Sequence, residues 1–255
     1  MATTHRPPSV APSPAQMPQS NAPATGTGVA ETHYPNGKLK ERAAFRDGKL
    51  DGEARIHAAN GVMLQGAQFK AGGLHGEVLI NDSSGLLVQR SAYVNGALEG
   101  RTLIYSDRHP MAAITYKAGL MDGEFLGYGT DGGINAKVMY RLGKFHGDAL
   151  YYYPNGKIAR HAKYADGLLQ GETVEFDPSG RKIESAPYVK GHLEGELRRF
   201  HPNGAVKEAI LYFEGKRVGE PKEFDESGRP RLTTAPATGG TTPGAGFFER
   251  LVKGP

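Results

Sequence analysis

The sequence predicts an all-β protein: an elongated single-layer antiparallel β-meander of about eight 24-residue hairpin repeats with disordered tails. Three observations carry that expectation. Glycine recurs in three parallel series about 24 residues apart, an aromatic residue keeps step with them, and apolar and polar residues alternate with period two in between.

The first series runs Gly37, Gly61, Gly85, Gly132, Gly156, Gly180, Gly204 and Gly228, with His109 in the slot where a glycine falls due and one residue missing just after it. The second runs Gly48, Gly72, Gly96, Gly119, Gly143, Gly167, Gly191 and Gly215, and the third Gly52, Gly76, Gly100, Gly123, Gly147, Gly171, Gly195 and Gly219. Three residues before each member of the second series stands an aromatic: Phe45, Phe69, Tyr93, Tyr116, Tyr140, Tyr164, Tyr188 and Tyr212. The third glycine is followed by an acid in seven of eight copies (Glu53, Glu77, Glu124, Asp148, Glu172, Glu196, Glu220), with Arg101 the exception.

One copy shows how a unit folds. Asn155-Gly156 is a turn signal, because both residues tolerate positive φ. From Lys157 to Tyr164, Ile158, Arg160, Ala162 and Tyr164 fall on one face and Lys157, Ala159, His161 and Lys163 on the other, the alternation of a strand. Ala165 to Gly171 turns the chain, and Glu172 to Phe176 returns it. Eight such units give about 16 short strands, and at ~4.8 Å per strand the sheet extends roughly 75 Å. The last copy decays: Arg217 replaces the loop leucine of earlier copies, Pro221 falls inside the returning strand, and Pro230 is expected to cut the ninth turn short.

Composition narrows the function. The 255 residues hold 36 glycines and 38% hydrophobic residues, with no Cys and no Trp. That excludes a disulfide scaffold, a cysteine zinc site and a thiol nucleophile. No run is long and apolar enough to cross a membrane as a helix, and the opening residues lack a signal peptide's apolar stretch, so the expected location is cytoplasmic. Of the net charge of +4, residues 229–255 carry +3, which leaves the repeats nearly neutral and argues against nucleic-acid binding. Residues 1–31, rich in Pro, Ala and Ser, are expected to be a disordered tail; 32–232 the repeat domain; 233–245 a flexible linker; and 246–255 a short amphipathic tail peptide.

The motifs Tyr34-Pro35-Asn36-Gly37-Lys38-Leu39-Lys40-Glu41 and Phe45-Arg46-Asp47-Gly48-Lys49-Leu50-Asp51-Gly52-Glu53 resemble the MORN-repeat variant, in particular bacterial proteins labelled YwqK-family antitoxins. The resemblance spans about residues 33–228. It implies an extended β-sheet module for protein or lipid contact and, from the bacterial variant, a toxin-neutralising immunity-type protein; it supplies no catalytic residues.

No constellation points to an enzyme, a cofactor or a metal. Gly127-Tyr128-Gly129-Thr130-Asp131-Gly132 fits a dinucleotide fingerprint in letters only, because a strand and not a helix follows it. The nine histidines form no ligand-spaced pair; His75 and His146 share one loop slot that other copies fill with Asp, Glu or Gln. The acid after every third glycine recurs too often to be an active-site pair and reads as a structural element of the turn. The Phe45-to-Tyr212 series reads as internal packing. The candidate partner-binding residues are the strand-end series Tyr105, Tyr128, Tyr152, Phe176, Phe200 and Phe224, together with Phe247, Phe248 and Leu251 of the tail. The expected function is a non-enzymatic protein-binding repeat that neutralises a toxin or secreted effector. The alternative is a peripheral membrane-associated or scaffolding protein that uses the sheet and the Phe/basic tail.

Overall fold

The computed structural model describes residues 22–231, and all regular structure among them is β-strand. The strands are β1 (Gly28–His33), β2 (Leu39–Arg46), β3 (Lys49–His57), β4 (Met63–Lys70), β5 (Gly73–Asn81), β6 (Leu87–Val94) and β7 (Ala97–Leu98). Then follow β8 (Gly100–Ser106), β9 (His109–Lys117), β10 (Leu120–Tyr128), β11 (Ile134–Arg141), β12 (Lys144–Tyr152), β13 (Ile158–Ala165) and β14 (Leu168–Leu169). The last are β15 (Gly171–Phe176), β16 (Lys182–Val189), β17 (His192–Leu193), β18 (Gly195–Phe200), β19 (Val206–Phe213), β20 (Lys216–Phe224) and β21 (Pro230–Arg231). They form one open, 21-stranded antiparallel sheet in which each strand pairs with its sequence neighbours. The count exceeds the expected 16 partly because β7, β14 and β17 are the first residues of strands that a bulge interrupts, and each pairs with the same partner as the strand after it.

Two kinds of turn alternate, one along each long margin of the ribbon. On the tight-turn margin, eight two-residue turns join an X-Gly pair, from Asp47-Gly48 to Glu214-Gly215. The first residue sits near φ +50° and the glycine between +75° and +90°, the type I′ geometry whose twist matches that of the flanking strands. On the long-turn margin the loops are longer, closed by bonds such as Tyr153 N–H to Lys157 O (2.9 Å) and Gly156 N–H to Tyr153 O (2.9 Å).

The third glycine series marks bulges. Ala43 pairs with Ala54 and Phe45 with Leu50, so Ala44 alone faces Asp51, Gly52 and Glu53. On its other side Gly52 lies opposite Phe69, and the same glycine–aromatic pairing recurs at Gly76–Tyr93, Gly100–Tyr116, Gly123–Tyr140, Gly147–Tyr164, Gly171–Tyr188 and Gly195–Tyr212. Gly123 has φ +119°, and a Cβ there would stand 3.1 Å from the Thr115 side chain, so the residue that bends the strand leaves a bare patch of backbone for the ring opposite to cover. This explains why aromatic and glycine keep step in the sequence.

The rings lie on one face, here the inner face, interleaved with Leu50, Leu74, Leu98, Met121, Phe145, Leu169 and Leu193. Phe45, Phe69, Tyr93, Tyr116 and Tyr140 are each at most 8% exposed, although among the described residues no second layer covers them. Their burial comes from neighbouring rows: Tyr140 packs edge-on to Phe125 (centroids 6.3 Å apart) and against Phe145 (4.8 Å), which meets Tyr164 at 5.0 Å. Small or branched aliphatic residues fill the adjoining row, among them Ala43, Ala54, Ala67, Val78, Ile114, Ala149 and Leu197. The expected packing role of the Phe45-to-Tyr212 series is what the sheet shows.

Three expectations need correction. The sheet begins at Gly28, inside the segment 1–31 expected to be a disordered tail, because Gly28 to His33 pair with β2 and Gly48 N–H bonds Gly26 O. In the fourth unit the missing residue is the turn glycine itself. Ser106 pairs with His109 across Asp107-Arg108, at φ +48° and +70°, so one deletion replaces a long turn by a type I′ turn and leaves His109 as the first residue of β9. Pro230 does not cut the ninth turn short: that turn closes (Asp225 N–H to Arg229 O, 2.9 Å), and Pro230 pairs with Phe224 in β21. Pro221 lies within β20, where the register with β19 slips, so its missing N–H breaks no ladder bond. The linker 233–245 and the tail 246–255, with Phe247, Phe248 and Leu251, lie outside the described residues.

Arginine at φ +70° is strained where glycine is not. Arg108→Gly is therefore expected to stabilise the protein by about 1 kcal/mol, read as a raised denaturation midpoint with unchanged circular dichroism. Burial holds the Tyr140 hydroxyl well above the usual tyrosine range, and burial with neighbouring Tyr164 pushes Tyr151 up to about 12. A raised folded pKa contributes stability that is intact below about pH 10 and lost as pH climbs through the folded value. An ultraviolet titration should show these tyrosines ionising late, together with loss of the β signal.

Candidate functional site

The tight-turn margin is where the units are tied together. Each turn glycine donates its N–H to a loop carbonyl of the preceding unit: Gly72 to Leu50 O, Gly96 to Leu74 O, Gly119 to Leu98 O, Gly143 to Met121 O and Gly167 to Phe145 O, all at 2.8 Å. The residue before the glycine donates to a side chain of that loop. Ala71 bonds Asp51 (3.1 Å), Ala118 bonds Glu99 (2.8 Å), Leu142 bonds Asp122 (3.1 Å), Lys190 bonds Gln170 (3.0 Å) and Glu214 bonds Glu194 (2.7 Å). The Asp/Glu/Gln slot is therefore a cap on the next turn, and the two copies with His75 and His146 leave a buried Nδ1 without a hydrogen bond.

The backbone of this margin is satisfied internally, and its side chains are left over. Val94, Leu120, Leu142, Leu168, Val189 and Phe213 are 44–67% exposed along it. Leu211, Val218 and Met139, also exposed, stand on strands that reach it. The residues flanking each turn include eight exposed cations (Arg46, Lys49, Lys70, Lys117, Arg141, Lys144, Lys190, Lys216) against three acids (Asp47, Asp166, Glu214). Of these, Arg141 pairs with Asp166 at 2.9 Å. The margin is thus a line of apolar side chains among ammonium and guanidinium groups, with the carboxylates of Asp51, Glu99, Asp122 and Glu194 engaged by turn N–H groups. Contiguous exposed apolar surface marks an interaction site, and flanking charge adds steering.

The long-turn margin is built otherwise. Tyr34 Oη donates to His57 O and Asn36 Nδ2 to Ala59 O, both at 2.8 Å, and Lys38 Nζ reaches Asn60 O. Tyr153, Asn155 and Lys157 repeat the set on Phe176 O (2.8 Å), Pro178 O (2.8 Å) and Ser179 O (2.6 Å). Where aspartate opens the turn, a serine hydroxyl and backbone N–H groups hold the Asp82 and Asp225 carboxyls below the usual range, and the Arg181 N–H and guanidinium do so for Asp177. The polar side chains on this margin are committed to holding turns.

The predicted strand-end residues Tyr105, Tyr128, Tyr152, Phe176, Phe200 and Phe224 are all half-buried at the outer ends of their strands. Lys182 Nζ sits 5.5 Å from the Phe200 ring centroid. Phe224 lines an open hollow of about 470 Å³ with Glu196, Arg198, Val206 and Ala209. The structure thus aligns these six on the long-turn side and brings none of them to the tight-turn margin.

The acid series stands on the outer face, paired with basic side chains: Glu53 with Arg55 (2.7 Å), Glu77 with Arg90, Glu124 with Lys137 (2.8 Å), Asp148 with His161 (2.7 Å), Glu196 with Arg198 (2.6 Å) and Glu220 with Arg217 (2.6 Å). Gly127 to Gly132 is strand and turn: Gly129 N–H bonds Gly133 O (2.8 Å), and β11 follows. Sequence reasoning missed the tight-turn margin because it summed charge along the chain. Sorting charges by position within the repeat would have found it.

Against known families, the one described as MORN repeat variant matches residues 27–47, 145–166 and 193–214. Each stretch covers the two long strands between the loop before it and a tight turn at its end, across β1–β2, β12–β13 and β17–β19, and the same wiring continues through the units between them. No curated protein matches the chain.

If the loop side chain caps the next turn, His75→Asp should give the Asn95 N–H the acceptor that Asp51 gives Ala71. A gain of about 0.5–1.5 kcal/mol in unfolding free energy is expected, with slower amide exchange at Asn95.

Proposed function

We propose that this chain is a non-enzymatic binding module that docks a partner protein along its tight-turn margin, and that the partner is a toxin or secreted effector neutralised by the docking. The observation that carries the binding reading is the line of apolar side chains from Val94 to Phe213, exposed between cations whose turn backbones are already bonded. Burying a leucine of this kind contributes about 1.5–3 kcal/mol, so a few together support a specific complex. The cations favour a partner with an acidic rim, and association should slow as salt rises. The toxin half of the reading rests on the resemblance of the turn motifs to the bacterial antitoxin group.

The test compares the wild-type chain with the triple variant Leu120→Ser, Leu142→Ser, Leu168→Ser as baits in the native cell. The variant should melt like the wild type, since all three side chains are exposed, yet lose at least about tenfold in affinity for the captured protein. Expressed alone, that protein should arrest growth, and co-expression of the wild-type chain but not the variant should restore it. Equal capture by both baits would remove the margin from the mechanism, and a captured protein harmless to growth would remove the neutralising role.

A further inference from the structure

The inner face changes character along its length. In the row beside the small-residue row, Ile56, Gln65, Ile80, Gln89 and Ile104 follow one another across β3 to β8. In the C-terminal half the same row reads Tyr151, Arg160, Glu175, Glu184, Arg199, Glu208 and Glu223, each directly opposite the next on the neighbouring strand. Four carboxylates thus stand against two guanidinium groups. Arg199 is committed to Glu184 (3.0 Å) and Glu208 (2.7 Å). Like charges directly opposite each other destabilise a sheet, yet Glu175–Glu184 and Glu208–Glu223 are both such pairs.

Around Glu175 the neutral groups also converge. Tyr188, opposite Gly171, lies within the electrostatic reach of Arg160, Glu184 and Glu175. Thr173 is two residues before Glu175 on the same strand face, between the tyrosine row and the charged row. It is 5% exposed, and its hydroxyl has no hydrogen-bond partner. Burial raises the Glu175 carboxyl above its usual range, with Arg160 opposing and Glu184 adding to the shift.

We propose that this row is a receptor for an arginine side chain on an extended segment of a partner protein laid across β13 to β19. The incoming guanidinium sits between Glu175 and Glu184, with Tyr188 and Thr173 as its neutral contacts. A planar guanidinium donates to two carboxylates at once, which an ammonium point charge does not match. The biological use of the site rests on the protein-binding reading above, but the site is on another surface and is tested by itself.

The probe is a fluorescein-labelled (Gly-Arg)4 octapeptide, titrated by the full chain and read by anisotropy at low salt. Glu175→Gln and Tyr188→Phe should each weaken binding by about fivefold or more, since each removes one contact and keeps the side-chain shape. The outer-face control Glu53→Gln and the Leu120/Leu142/Leu168 triple variant should bind as wild type, which separates this site from the tight-turn margin. A (Gly-Lys)4 peptide should bind more weakly. Equal binding by Glu175→Gln, Tyr188→Phe and wild type, or an equal loss with Glu53→Gln, overturns the proposal.

Discussion

Everything in this sheet depends on the turn glycine being free to adopt positive φ. At the tight turns it lets two residues reverse the chain, and in that pose its N–H points back at the preceding unit and meets a loop carbonyl there. Neither role tolerates an ordinary side chain without strain. Because the same residue makes the turn and the link between units, hairpin formation and stacking are one event. A sheet with no second layer among the described residues needs that economy, since each unit buries little apolar area alone.

The two margins divide the remaining work. On the long-turn side, tyrosine, asparagine and lysine side chains hold the next turn, which accounts for the Tyr-Pro-Asn-Gly-Lys motif residue by residue. On the tight-turn side the ties are made by backbone groups and by one loop side chain, so the side chains of Leu120, Leu142 and Leu168 take no part in the turn bonds. Leu142 even occupies a left-handed position that asparagine or aspartate would fill with less strain.

Much of the fold was legible because its rules are local. Period-two alternation, the paired glycines and the aromatic in step with them predict hairpins, and a constant period forces neighbour-to-neighbour pairing. The fourth unit was misread at one point: the spacing showed that a residue was missing, but only the pairing of Ser106 with His109 shows that it is the glycine. The candidate site was less legible. Tyr105 to Phe224 stand out by residue type, whereas the margin residues are mixed in type and are united only by position. The inner charged row is hidden further, because its members are contributed one per strand and become adjacent only through register.

The neighbour-only wiring also decides how the molecule fails. In a globule, one cut through the core exposes everything. Here a proteolytic nick or a collapsed hairpin in the middle would leave two shorter ribbons, each still holding its own turns and rings in place. Damage stays where it occurs, and the same independence lets a lineage lengthen or trim the ribbon by whole hairpins without redesigning what remains.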